Sequence, residues 1–401
     1  MLSTDVVVVG GGVAGLLIAS ALAPEVSVVL LEQQDSFPRN KYWLTDEKAV
    51  AKNPHLQACI DRRYEFFDFV ANDGLTATVG GSYCLWNTDL LVEHLAKELS
   101  VRGVQILTGH KFYSLAYGVD KIVVRANSQT IEARLFIDCM GFGSPLVGAK
   151  NVATITGYYV LHGSEVAVRG NVRPVALDNV VIDRNPAYFE LFPTSKGTAH
   201  AAIILPSRQH KTERSITNEL SFILSKSHYA EQMLPEPSRE RRSYFGIIPV
   251  GRLHEPALDR LVFFGEAGQS NPAASATGLT RMLRTYRELA MTLKDCLRQN
   301  KLGRKELRRA IPRSMTRMNR LFHESLFESL LSFNSDDFRR LVSDLKDYPH
   351  PLINDLLFAE FDFQSPKTFR LSLDALARPD SVLGRNVMKS IARFCTWRPS
   401  W

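Results

Sequence analysis

The chain has 401 residues and a net charge of +7, a length that suggests two or three structural units. Hydrophobic residues make up 45% and charged residues 23%, the balance of a globular protein with a sizeable core. The five cysteines (Cys59, Cys84, Cys139, Cys296 and Cys395) are odd in number, widely spaced and form no Cys-x-x-Cys. That pattern argues against a disulfide framework or a zinc site and fits a reducing, cytoplasmic compartment.

Met1-Leu2-Ser3-Thr4-Asp5 carries no basic side chain ahead of the apolar run Val6 to Ala23, and glycines interrupt that run. The start is therefore read as a strand and a helix, not as a signal peptide or membrane helix. Thr4 to Val9 reads as a buried strand, Gly10-Gly11-Gly12 as a turn, Val13 to Ala23 as a helix closed by Pro24, and Val26 to Leu31 as a second strand ending at Glu32. Strand, glycine turn, helix and strand in this order is the parallel βαβ pattern. Residues 36–80 are mixed and aromatic-rich. Thr88 to Val101 is an amphipathic helix with Leu90, Leu91, Leu95 and Leu99 expected on one side.

Strand-like runs follow at Val104–Leu107, Lys121–Arg125 and Ile131–Ile137. A β-rich segment covers Ala153–Leu161, Val180–Asp183, Tyr188–Phe192 and Ala199–Leu205. Leu261–Phe264 is another short strand, a helix starts near Ala276, and the remainder is mostly helical, with apolar residues every three or four positions from Met315 to Phe333. Between Arg281 and Arg320 thirteen Lys or Arg stand against three acids. This stretch is either a solvated helical face or a peripheral docking surface for an anionic membrane or an acidic carrier protein. No recognition motif accompanies the charge, so nucleic acid is not expected as a partner.

Gly10-x-Gly12-x-x-Gly15 carries the first chemical signal. Gly10 permits a tight turn, Gly12 a close approach of backbone to a pyrophosphate, and Gly15 close packing of helix on strand. The N–H groups at the helix start, including Val13 and Ala14, would face the phosphates. Glu32 at the end of the next strand suits a ribose hydroxyl and would repel a 2′-phosphate, which disfavours NADP. A second signal is Phe263-Phe264-Gly265-Glu266-Ala267-Gly268, followed by Asn271-Pro272 and Thr277-Gly278-Leu279. Here an acid suits ribityl hydroxyls, and the helix start suits the pyrimidine side of a flavin ring. Together the two signals favour FAD over NAD. Phe136-Ile137-Asp138-Cys139-Met140-Gly141-Phe142-Gly143-Ser144 is a third strand ending in an acid and glycines, which also reads as a plain turn.

These segments resemble the flavoproteins related to p-hydroxybenzoate hydroxylase, a group that includes geranylgeranyl reductases, flavin halogenases and lycopene cyclases. The chain most resembles the lycopene cyclase-like members. Lys41-Tyr42-Trp43-Leu44 is similar to their aromatic Trp segment. Ser243 to Gly251 is similar to their Ile-Pro-x-Gly segment, Phe264 to Leu279 to their flavin loop and Asn319 to Phe333 to their helical tail. Tyr188-Phe189-Glu190-Leu191-Phe192-Pro193 resembles an aromatic–Phe–Pro strand of the reductases and halogenases.

The resemblance implies an α/β fold: a Rossmann-type FAD-binding domain (glutathione reductase-like, p-hydroxybenzoate hydroxylase-like) with an inserted β-sheet substrate domain and a helical C-terminal region. The expected parts are residues 1–150 with an excursion at 36–110, 151–255 for the substrate sheet, 256–300 for the rest of the FAD domain, and 301–401 for the helices. The cofactor-binding candidates are Gly10, Gly12, Val13, Ala14, Gly15, Glu32, Arg39, Gly265, Glu266, Pro272, Gly278 and Leu279. Arg39 suits the flavin or pyrophosphate and equally suits the surface. Trp43, Tyr188, Phe192 and Pro249 are candidate lining residues that also suit a plain core.

The chain departs from the group in several ways. Glu266 stands where Asp is usual. Lycopene cyclases carry a catalytic Glu in a Phe-Leu-Glu-Glu-Thr-like segment, and the matching stretch here, Ala202 to Ser207, holds no acid. The Trp-x-Trp-x-Ile-Pro motif of halogenases and a second glycine fingerprint for NAD(P)H are both absent. The reading is an FAD-dependent oxidoreductase acting on a hydrophobic polyene, isoprenoid, acyl or carrier-bound substrate. NAD(P)H or a separate flavin reductase would be the electron source, and no catalytic acid or base is assigned. The alternatives are a non-redox flavin-dependent cyclase or isomerase, a monooxygenase or halogenase, and a flavin-binding partner protein without chemistry.

Overall fold

Val6, Val7 and Val8 have no exposed surface, because a strand buried on both faces must be apolar throughout. They belong to β1 (Leu2–Val9), which lies between β2 (Val28–Leu31) and β9 (Gln129–Asp138) and runs parallel to both. The computed structural model describes every residue except 39–40, 183–184, 214–215, 217–242, 313–314, 361–380 and 397–401. Beyond β2 lies β6 (Gln105–Leu107), and beyond β9 lies β16 (Leu261–Phe263), each in parallel. The antiparallel pair β7 (Phe112–Tyr117) and β8 (Ile122–Ala126) extends from β9, and the short β15 (Ala257–Leu258) edges β16. Helices α1 (Val13–Leu22), α3 (Thr88–Val101) and α5 (Gly278–Arg298) pack together over this sheet in one apolar core. The helix expected at Thr88 starts there because the Asn87 side chain accepts from the N–H groups of Asp89 and Leu90. Leu90, expected on its apolar side, is instead 43% exposed. Leu91, Leu95 and Leu99 fill the inward stripe without it.

The second sheet has the order β14-β10-β13-β12-β11-β4-β5-β3. Its strands are β3 (Tyr42–Asp46), β4 (Ile60–Val70), β5 (Thr76–Asn87), β10 (Ala153–Ala167), β11 (Val175–Ile182), β12 (Asn185–Pro193), β13 (Thr198–Ser207) and β14 (Ser243–Leu253). The excursion at 36–110 therefore does more than interrupt the first domain: its strands β3, β4 and β5 complete the substrate sheet. They join through β4 and β11, the parallel pair of a sheet whose other pairings are antiparallel. Short helices α2 (Glu47–Ala51) and α4 (Pro145–Ala149) connect the layers. One face of the second sheet meets α7 (Arg317–Leu330), α8 (Ser335–Asp347), α9 (His350–Leu357) and α10 (Val382–Thr396) through a shared apolar cluster. Helix α6 (Arg304–Ala310) packs beside β15 and α5.

Candidate active site

The parallel strands end along one edge. Val9 pairs with Leu31 on one side and Asp138 on the other, and Asp138 pairs with Phe263. At β1 the strand order changes direction, the position where open α/β sheets bind ligands. Gly10 leaves β1 at φ +108°, and a Cβ there would stand 2.2 Å from the Cys139 carbonyl oxygen, so the turn requires glycine. A Cβ on Gly15 would stand 1.9 Å from the Gly10 carbonyl oxygen, which lets α1 sit directly on the turn. Gly12 differs, because among the described residues nothing lies within 4 Å of where its Cβ would be. Helix α1 starts at this open point without a side-chain cap, so the N–H groups of Val13, Ala14 and Gly15 are available to an anion. Glu32, 5% exposed, accepts from Gly11 N–H at 2.7 Å and from Gln34 N–H at 2.9 Å. It braces the glycine turn from below.

The segment after β16 closes on this turn from the far end of the sequence. A Cβ on Gly265, which has φ +69°, would stand 2.5 Å from the Ala14 Cβ. Phe264 N–H donates to the Asp138 carbonyl at 2.9 Å. Glu266 accepts from the Phe142 N–H, and its Oε2 would lie 3.3 Å from a Cβ on Gly141. All three chain segments singled out by their glycines and acids thus meet. Burial raises the Glu266 carboxyl above its ordinary value, opposed by the Lys41 charge and that Phe142 bond. Asp138 is pushed up to about 6 by burial, opposed by the Ser144 hydroxyl and the Met140 N–H. Pro272 is buried and its carbonyl accepts from Ala276 N–H at 2.9 Å. A Cβ on Gly278 would stand 1.8 Å from Asn271 Oδ1. Helix α5 begins here, again with no side-chain cap.

A cavity of about 270 Å³ runs from this loop between the second sheet and the helices. Gly265, Glu266, Gly278 and Leu279 form its near end. Leu161, Ile204 and Ile248 lie on the sheet side, and Phe322, Leu326, Leu345 and Leu383 on the helical side. Glu190 projects into it from β12. Its carboxyl has no hydrogen bond or ion pair among the described residues, and burial alone raises it to about 8. It is therefore an uncharged acid at neutral pH. His200 also lines the cavity; it is pushed down to about 3 by burial and stays neutral. Its Nε2 lies 2.8 Å from the Tyr244 hydroxyl, with the two rings stacked at 5.4 Å.

Trp43, Tyr188 and Phe192 lie on the cavity wall. Pro249 does not: it is buried on β14 opposite Tyr158, because alternation along the strand gives the inward face to Ile248. Arg39 lies outside the described residues. Glu190, His200 and Tyr244 were missed. The signal for Glu190 was present, since in a strand Tyr188, Glu190 and Phe192 share one face.

The model of the lycopene cyclase protein family matches residues 5–375. The chain belongs to the lycopene cyclase family. No curated protein sequence matches it. Among solved structures it is similar to a geranylgeranyl bacteriochlorophyll reductase-like protein from Thermoplasma acidophilum, with TM-score 0.74 and 15% identity over 97% of this chain and 100% of that one. It is similar to the p-nitrophenol 4-monooxygenase PnpA from Pseudomonas putida, with TM-score 0.65 and 16% identity over 90% and 99% of the two chains. It is also similar to the halogenase PltM in complex with phloroglucinol and FAD, with TM-score 0.64 and 15% identity over 97% and 96%. At these identities the likeness is one of fold: a Rossmann-type flavoprotein fold with a helical C-terminal region. In this lycopene cyclase family member the residues present fit FAD. The uncapped start of α1 beside the open Gly12 suits a pyrophosphate. The uncapped start of α5, at the mouth of the cavity, suits the flavin end. No helix among the described residues is long and apolar enough to cross a membrane.

Proposed function

We propose that this lycopene cyclase family member binds FAD along the carboxyl edge of the parallel sheet and acts on a long apolar substrate held in the adjoining cavity, with Glu190 as the proton donor. The observation that carries this reading is a carboxylic acid without a partner, raised to about 8, facing an apolar cavity. An acid that stays protonated at neutral pH and meets its substrate without competing water is suited to protonating a carbon–carbon double bond. The family acid missing from Ala202 to Ser207 has a counterpart one strand away, because Glu190 is paired directly with Ala202.

Glu190 gives its proton to one olefinic carbon. The neighbouring carbon becomes cationic, and the faces of Tyr188 and Phe192 lie in the same wall to receive that charge. Attack by a second double bond or loss of an adjacent proton then gives a ring or a shifted double bond, with no change of mass. The cavity also reaches the flavin loop, an observation that favours a second reading, reduction of a double bond. Bound there, FAD would supply hydride transfer, with NAD(P)H or a flavin reductase as the electron source, and Glu190 would supply the proton.

The test is turnover of an acyclic polyene and of a polyprenyl compound by the FAD-loaded protein, followed by mass. Unchanged mass indicates cyclisation or isomerisation, two added hydrogens indicate reduction, and added oxygen or halogen would overturn the proton-donor reading. Glu190→Gln should lose about 10²–10⁴-fold in rate while keeping its FAD. Wild-type turnover in that variant would remove Glu190 from the mechanism.

A further inference from the structure

Across the second sheet, one row of paired residues runs from Glu190 on β12 through Ala202 on β13 and Gly163 on β10 to Tyr244 on β14. The two middle members are small, so the row has large polar groups at its ends and space between them. A Cβ on Gly163 would stand 2.5 Å from the Tyr244 hydroxyl oxygen. The phenol therefore lies over Gly163 and covers the first of three strand spacings, each about 4.8 Å, on the way to Glu190. Any larger residue at Gly163 would displace that ring.

Behind Tyr244 lies a second space, about 20 Å³ in volume, large enough for one water. Lys41, Tyr42, His200 and Tyr244 separate it from the main cavity, and its other walls are Asn87, Asp89, Glu165 and Lys196. Lys196 is exposed and Asp89 half-buried, so this chamber stands between solvent and the apolar cavity. Glu165 is paired with His200 across β10 and β13, and it accepts from the Thr198 hydroxyl at 2.6 Å.

We infer that Tyr244 and His200 form a proton wire that joins Glu190 to this water-sized chamber, which makes them positioning residues for the acid. The inference rests on the reading of Glu190 as proton donor. After Glu190 has given up its proton, the Tyr244 hydroxyl passes one to the carboxylate, relayed by a water in the space over Ala202, and takes one from His200 Nε2. The imidazole takes a proton at Nδ1 from water in the chamber. Each residue ends neutral, and the net change is one proton moved from the chamber to Glu190. Two further observations agree. His200 is kept neutral by burial, so it can exchange protons without holding a charge. The Tyr244 phenol is raised by burial and by the charge of Glu190, so it senses the carboxylate.

The test is infrared observation of the Glu190 carboxylic acid in the whole FAD-loaded protein after rapid transfer into D2O. Loss of a carbonyl band in Glu190→Gln assigns that band. The wire predicts that its deuterium shift slows at least tenfold in Tyr244→Phe, which keeps the ring and its stacking, and in His200→Gln, with circular dichroism unchanged. It also predicts that solvent deuterium enters the product more slowly in both variants. An assigned band that exchanges at the wild-type rate in Tyr244→Phe overturns the wire and leaves Glu190 as the donor. If Glu190→Gln removes no band, Glu190 is ionised and both readings fall.

Discussion

The carboxyl groups beside the glycine turns of the parallel sheet and the one that faces the cavity from the antiparallel sheet are held in different ways. On the parallel sheet, Glu32 accepts from two backbone N–H groups, and Asp138 accepts from the Met140 N–H at 3.0 Å and from the Ser144 hydroxyl. On the antiparallel sheet, Glu190 faces the cavity with no partner among the described residues. The pKa directions follow from that contrast. Asp138 is held to about 6 because hydrogen bonds offset burial, while Glu190 rises to about 8 because nothing offsets it. A carboxylate with satisfied oxygens clamps a loop, and one without partners is a reagent. Changes at the glycine turns should therefore act on cofactor retention, and changes at Glu190 on proton chemistry.

The largest effect should come from the glycine turn. The Cβ of Gly12→Val meets no neighbour within 4 Å among the described residues, so the protein should fold, but the new side chain would occupy the phosphate site and yield colourless protein. Full FAD occupancy in folded Gly12→Val would place the cofactor elsewhere. Gly15→Val is the contrasting case: its Cβ would stand 1.9 Å from the Gly10 carbonyl oxygen, and overpacking of this kind costs about 1–3 kcal/mol or more. That variant should lose thermal stability as well as colour. A smaller effect is expected for Glu266→Ala, which frees the Phe142 N–H and should weaken FAD retention or alter flavin reduction more than it alters folding. Unchanged FAD affinity and reduction kinetics would count against a role for Glu266 at the cofactor.

The unpartnered acid has a consequence for stability as well as for catalysis. Its folded value of about 8 lies above the ordinary carboxyl value of 4.5. Between those values the unfolded chain releases this proton and the folded chain keeps it. Stability contributed by Glu190 is thus fully present below about 4.5, falls as pH rises through the window, and levels off above about 8. The slope is at most about 1.4 kcal/mol per pH unit. Denaturant unfolding of wild type and Glu190→Gln between pH 5 and pH 9 (assay values, about two units either side of neutrality) should give stability curves that diverge as pH rises, with the Gln variant the more stable at the alkaline end. Parallel curves would mean that Glu190 already ionises in the folded protein near its ordinary value.

The parallel sheet was far more legible in the sequence than the antiparallel one, for physical reasons. Strands buried on both faces are continuous apolar runs, and the backbone near a phosphate needs glycine at fixed spacing, so Val6 to Gly15 declares itself locally. The antiparallel sheet is assembled from distant pieces. Its seam, β4 against β11, joins residues such as Phe69 and Leu177 that no local pattern connects. The strands β3, β4 and β5 lay unread in the aromatic stretch 36–80 and just beyond it. Glu190 was visible as a letter within Tyr188 to Pro193, but its lack of a partner depends on Ala202, Gly163 and the helices opposite. His200 and Tyr244 come together only through the pairing of both β13 and β14 with β10. Pro249, read as either lining or plain core, is buried off the cavity wall because the face of β14 is set by its register with β10, which the sequence does not reveal.

The smallest expected effect concerns the basic stretch from Arg281 to Arg320, and here the folded chain neutralises much of what the sequence displays. Arg281 is 4% exposed. Arg284 pairs with Asp46 and Glu360, Lys294 and Arg298 pair with Glu25, and Arg304 and Arg308 pair with Glu255. Arg287 is exposed but bonds the His55 ring and the Tyr286 hydroxyl, whereas Lys301, Lys305 and Arg309 remain exposed without an ion pair among the described residues. We propose that any docking to an anionic membrane or an acidic carrier protein runs through these last three, on α6 and just ahead of it. Three exposed charges give modest attraction that salt screens over about 10 Å at 0.1 M ionic strength. Co-sedimentation with anionic vesicles and pull-down with an acidic carrier protein should therefore show weak binding at low salt that disappears at high salt. Neutral vesicles should not bind, and the triple change Lys301→Glu, Lys305→Glu, Arg309→Glu should abolish binding without altering FAD content. Binding that survives the triple change would move the surface elsewhere, and no binding to either anionic partner at low salt would leave the stretch as a solvated face whose charges hold α5 and α6 against Glu25 and Glu255.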